Sequence, residues 1–88
     1  ADSAIESMAA YCAQNISGVY KVQRCETYTQ EDGISIDLDM TVVYGYQIHR
    51  ILEQIQEQVG NQVGYITGLN ILAVNVAAKR VVIPKDTP

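Results

Sequence analysis

Between Ile34 and Val76 the hydrophobic period changes twice, and those changes lay out the elements of the chain. Ile34, Ile36, Leu38, Met40, Val42 and Tyr44 occupy every second position, with Ser35, Asp37, Asp39 and Thr41 between them. A period of two predicts a strand, Ile34–Tyr44, with one core face and one wet face. Gly45 punctuates its exit. From Gln47 to Thr67 the apolar residues Ile48, Ile51, Leu52, Ile55, Val59, Val63 and Ile66 recur at steps of three and four. Those steps set all seven on one stripe of a helix. Such a helix is not stable alone in water and needs an apolar sheet face to cover. Thr67-Gly68-Leu69 ends it. Leu69–Val76 then returns to a period of two, with Leu72, Val74 and Val76 against Ala73 and Asn75. Residues 77–80 blur the pattern as a bulge would, and Val81-Val82-Ile83 resumes it before Pro84.

The N-terminal third carries weaker patterns. Ser3 with Glu6 three residues on reads as a capping box, and Ile5, Met8, Ala9, Cys12 and Ile16 follow as a short helical stripe stopped by Gly18. Val19–Tyr28 is rich in Val, Tyr and Thr and predicts a strand. Its alternation, with Tyr20, Val22 and Arg24 against Lys21, Gln23 and Cys25, does not specify a buried side, which fits an edge strand. Thr29–Gly33 reads as a polar hairpin loop with a left-handed residue at Gly33. Gly60 and Gly64 each cost the long helix roughly 1 kcal/mol against Ala, so they call for a packing reason. Close docking of the small first helix on that flank is the expectation.

The element order is therefore α-β-β-α-β. The hairpin makes the first two strands antiparallel, and the helical crossover makes the last parallel to the second. Both helices are expected on one face of a three-stranded mixed sheet, because the other face carries Asp37, Asp39, Thr41 and Asn75. This predicts an α+β two-layer sandwich: one domain over residues 1–84, with a flexible tail at 85–88.

Composition narrows the core and the partners. The 88 residues contain neither Phe nor Trp, so Ile, Val, Leu, Ala and Tyr must fill the interior. A net charge of −4 argues against non-specific nucleic-acid binding and against docking on an anionic lipid surface. No apolar run approaches the roughly 20 residues that span a bilayer, and no signal peptide opens the chain. The absent initiator Met fits a processed or truncated chain. Cys12 and Cys25 match neither a CxxC motif nor a zinc knuckle and read as free thiols in a reducing cytoplasm, the alternative being a disulfide between them if helix and strand touch.

Candidate chemistry is sparse. Asp37 and Asp39, two residues apart on one strand face, stand roughly 6–7 Å from each other, a spacing able to flank a bond or hold a cation. A flat solvated face gives them no cavity, so a solvated acidic surface is the simpler account. His49, Glu53 and Glu57 recur at steps of four, without HExxH or a second His or Cys to complete a metal set. No nucleophile has a base in a recognised motif, so no catalytic residue is assigned. Tyr44 and Tyr46 bracket Gly45 as a rim on which a ligand could stack. An α-β-β-α-β order loosely resembles some RNA-binding folds, but the GXXG loop, RNP aromatics and basic stripe are missing.

The central stretch resembles the alkaline shock protein family of Gram-positive bacteria, also called the Asp/Gls envelope stress response family. The residues that carry the resemblance are Val42-Val43-Tyr44-Gly45, Ile48, the stripe Ile55–Val59–Val63, Ile66-Thr67-Gly68-Leu69 and Val74-Asn75-Val76. They follow the family's strand-Tyr-Gly-helix-Thr-Gly-Leu-strand-Val-Asn-Val pattern in order, over the C-terminal half. Ile16-Ser17-Gly18-Val19 is similar to the family's helix exit more loosely. A short strand before the first helix and a glycine-rich linker are absent. The resemblance implies a small cytoplasmic, non-catalytic protein of cell-envelope homeostasis. It would have no cofactor, and would act by self-association or through a membrane-anchored protein partner. The alternative from the residues is a small-ligand or metal-binding module on the open acidic face, using Asp37, Asp39 and Thr41.

Overall fold

The structure, a computed structural model, describes residues 2–84; the tail expected at 85–88 lies outside the described residues. The elements run α1 (Asp2–Gln14), β1 (Val19–Gln30), β2 (Gly33–Val43), α2 (Ile48–Thr67) and β3 (Ile71–Val82). The sheet order is β1-β2-β3, with β1 antiparallel and β3 parallel to the central β2. The expected α+β sandwich is therefore the observed one. Ile34, Ile36, Leu38, Met40 and Val42 of β2 are buried against Ala9 and Ala13 of α1 and Ile51, Ile55, Val59 and Val63 of α2. Both helices thus share one sheet face. All six tyrosines are exposed, so the interior is aliphatic apart from Met40 and the buried Thr41.

Helix α2 keeps its predicted span but buries a narrower stripe. Ile48 and Ile66, at its two ends, are exposed. Its C-terminus is locked locally. Gly68 adopts the left-handed conformation (φ 73°) and donates its N–H to Gly64 O at 2.9 Å. The Thr67 hydroxyl donates to Val63 O at 2.7 Å and accepts from the Leu69 N–H at 3.1 Å.

Several expectations are corrected. The capping box does not form. Ser3 lies inside α1, and the Glu6 carboxylate accepts instead from the Thr27 N–H (3.0 Å) and hydroxyl (3.3 Å). The hairpin is a tight two-residue turn, Glu31-Asp32, because Gln30 already pairs with Gly33. Gly33 is a strand residue, and what demands glycine there is space: an added Cβ would stand 2.2 Å from the Asn70 carbonyl oxygen. Tyr44 lies beyond the end of β2 and is 67% exposed, so it does not continue the core alternation.

Strand β1 slips register at Tyr20 and again at Gln23. Each slip inserts one residue, so Val19, Val22 and Cys25 reach the core at steps of three. Simple alternation could not assign its faces. Burial pushes the Cys25 thiol up to about 11 and raises that of Cys12; both cysteines are free. Strand β3 starts at Ile71 and slips at Leu72 and at Lys79. Ile71, Val74, Val76 and Ala78 therefore pack on the core, and Leu72 falls out of phase.

The two interior glycines of α2 do not receive α1. A Cβ at Gly60 would meet Val74 Cγ2 at 3.6 Å and one at Gly64 would meet Ile71 Cγ1 at 3.3 Å, so this flank faces β3. Helix α1 sits over the β1 side and touches α2 elsewhere, where the Cys12 S–H donates to Gln62 Oε1 at 3.7 Å. At Gly60 the contact is an ordinary one. Gly60→Ala should therefore raise stability by roughly 0.5–1 kcal/mol through helix propensity. A chemical denaturation midpoint that falls would show that the missing methyl is structurally required.

Candidate functional site

The face of the sheet that no helix covers carries the candidate residues, and side chains from all three strands bond across it. Arg24 of β1 pairs in register with Asp39, and its Nε donates to Asp39 Oδ2 at 2.8 Å. Its other guanidinium nitrogen donates to Glu26 Oε1, which also accepts from the Tyr28 hydroxyl at 2.9 Å. On the other side, Asn75 of β3 donates through Nδ2 to Asp37 Oδ1 at 2.8 Å. Thr41 is only 4% exposed. The second register slip of β1 lays Gln23 over it, and Gln23 Nε2 donates to its hydroxyl at 2.6 Å.

Asp37, Asp39 and Asn75 are thus brought onto one surface, whereas Thr41 is sealed beneath it. The two aspartates are drawn apart chemically: one answers to an arginine, the other to an amide. The Arg24 hydrogen bond holds the Asp39 carboxyl below its ordinary value, and the same bond raises the guanidinium. The hydrogen bond to Glu26 raises the Tyr28 hydroxyl. Arg24, Glu26 and Tyr28 were not among the residues expected here. The signal for them is the three-residue spacing of Val19, Val22 and Cys25, which sets the phase of the rest of β1.

A pH dependence follows. A carboxyl whose folded pKa is depressed contributes stability that is complete above its unfolded value, about 4, and lost as pH falls through the folded value. The wild-type melting temperature should therefore fall below pH 4, and Asp39→Asn should flatten that part of the curve. Parallel curves for the two proteins would remove Asp39 as a contributor.

Tyr44, Gly45 and Tyr46 border a hollow of about 320 Å³ with Val43, Ile48 and Val81. Tyr44 projects outward, while Tyr46 packs over Gly18, where an added Cβ would lie 3.0 Å from its ring. His49, Glu53 and Glu57 remain on the exposed side of α2. Among the described residues, no three His, Cys, Asp or Glu side chains are grouped so as to hold a metal ion. A larger open groove of about 700 Å³ runs between α2 and β3, where Gly60 and Gly64 leave room above Ile71, Ala73 and Val74. Sequence reasoning did not find it, because it expected α1 to fill that flank.

These features define an α+β two-layer domain with a laterally bonded polar sheet face, open grooves, and no helix among the described residues long and apolar enough to cross a membrane. The chain belongs to the alkaline shock protein 23 family, described as having a cell envelope-related function, whose profile matches residues 25–83. This is the family that the pattern from Val42 to Val76 resembles. Among solved structures, a variant of MamM CTD in its nickel form is similar with a TM-score of 0.74 and 18% identity, covering 89% of this chain and 96% of that one. A variant in its zinc form has a TM-score of 0.73 and 18% identity, covering 89% and 84%. A third variant has a TM-score of 0.75 and 19% identity, covering 93% and 95%. At such identities the likeness is one of fold.

Proposed function

We propose that this protein is a non-catalytic interaction and scaffold protein of the cell envelope stress response. It works on the cytoplasmic side through self-association or a membrane-anchored partner. The observation that carries this reading is the family match over residues 25–83. The geometry supports it: the polar face is committed to lateral hydrogen bonds, and neither Asp37 nor Asp39 lines either of the hollows described above. Deleting the gene in its own host tests it. The expected result is impaired growth at alkaline pH or under cell-wall stress, restored by the wild-type chain. A deletion strain indistinguishable from its parent under both stresses overturns the reading.

The second reading, a small-ligand or divalent-cation site on the acidic face, draws on Glu26, Asp37 and Asp39 lying there together, Glu26 opposite Asp37 in register. Arg24 and Asn75 already occupy that surface. Melting with zinc, nickel or calcium distinguishes the two readings, since a ligand of the native state raises its melting temperature. A saturable rise abolished by Asp37→Asn would favour this second reading.

A further inference from the structure

The two edges of the sheet are not equivalent. The β1 edge is covered by α1: Glu6 accepts from the Thr27 N–H, and Gln14 both accepts from the Val22 N–H at 3.1 Å and donates to Tyr20 O at 3.1 Å. Along β3, among the described residues, one side chain alone reaches the backbone. Gln56 Nε2 donates to Val74 O at 3.2 Å, and a carbonyl keeps a second acceptor site. The outer edge of this 12-residue strand is otherwise free of side-chain hydrogen bonds among the described residues.

The core-facing positions of β3 are spaced symmetrically. Opposite the buried positions of β2 stand Ile71, Val74, Val76, Ala78 and Val81. Their spacing is three, two, two, three, because the slips at Leu72 and Lys79 flank the centre. This pattern reads the same in both directions about Val76. A surface that pairs with its own copy about a twofold axis must be self-complementary in this way.

Building on the interaction-protein reading above, we propose that β3 pairs antiparallel with β3 of a second copy of this chain, about a twofold axis at Val76, making one six-stranded sheet. Val74 then faces Ala78 of the copy, and Ile71 faces Val81, which is 48% exposed in the single chain. These incoming side chains enter the groove that Gly60 and Gly64 leave beside the edge. The cations are not opposed: Lys79 meets Ala73 of the copy, and Arg80 meets Leu72. Cross-strand neighbours of this kind decide pairing, and like charges placed opposite each other weaken it.

Sedimentation velocity over a concentration series tests the pairing and its register, with thermal melting as a control for folding. Wild type should dimerise reversibly. Ala73→Lys, which sets a cation opposite Lys79 twice per dimer, should weaken the dimer about 5–10-fold, and Ala73→Glu should tighten it. Adding Lys79→Glu to Ala73→Lys should restore wild-type affinity. A dimer indifferent to all three variants overturns the β3 pairing and leaves self-association standing. A wild-type chain that stays monomeric at every concentration overturns this proposal, whereas the envelope reading is judged separately by the deletion strain.

Discussion

Ile55→Ala should lower the stability of this domain by about 3 kcal/mol. Ile55 is fully buried, and its side chain lies in the middle of α2 where both helices and the central strand meet. Truncation loses the transfer free energy of the removed carbons and leaves a void that close-packed neighbours cannot fill. For a domain of this size that loss corresponds to a melting temperature lower by roughly 12–24 °C. Ile66→Ala, drawn from the same stripe of the sequence, should cost under about 1 kcal/mol because Ile66 is 54% exposed. Calorimetry on the pair checks both figures. Similar losses for the two would mean that α2 does not lie on the sheet in the orientation described.

Gly33→Ala is the second large effect, expected to cost about 2–3 kcal/mol. The obstacle is backbone, not a flexible side chain: the new methyl would lie 2.2 Å from Asn70 O and 3.1 Å from its carbonyl carbon. That carbonyl accepts from the Ile34 N–H at 2.9 Å, and the Asn70 side chain donates to Asp32 O at 2.9 Å. Together these bonds fasten the hairpin to the start of β3. Relieving the clash must stretch that junction, so exchange of the Ile34 amide should accelerate along with the fall in melting temperature. A variant with wild-type melting and a protected Ile34 amide would show that the junction has slack.

The parts of this fold that were legible are those where one period runs undisturbed. Strand β2 and helix α2 each keep a single spacing, so their faces could be read from Ile34 to Val63 directly, although β2 stops at Val43 and not at Tyr44. The edge strands were harder for one physical cause. Each carries two inserted residues, and every insertion moves the following side chains to the opposite face. The slip near Lys79 interrupts a clear alternation; those at Tyr20 and Gln23 show only as the three-residue spacing of Val19, Val22 and Cys25, and that at Leu72 leaves no trace. This is also why half of the polar face went unseen. Asp37, Asp39 and Asn75 sit on strands of clear phase, whereas the partners from β1 depend on the displaced phase of Val19, Val22 and Cys25. The glycines at 60 and 64 announced a close approach without naming the neighbour, since small residues record only that something is near. Turn length hid likewise: Thr29 to Gly33 is polar throughout, and only pairing shows that three of those five residues belong to strands.

With no indole or phenyl ring in the chain and every phenol at the surface, the interior is optically silent. Ultraviolet emission therefore reports only local surface contacts, such as Tyr28 with Glu26 and Tyr46 over Gly18, and not the core itself. A destabilised variant could pass as intact under that probe, and only heat capacity, amide circular dichroism or methyl resonances would report the loss.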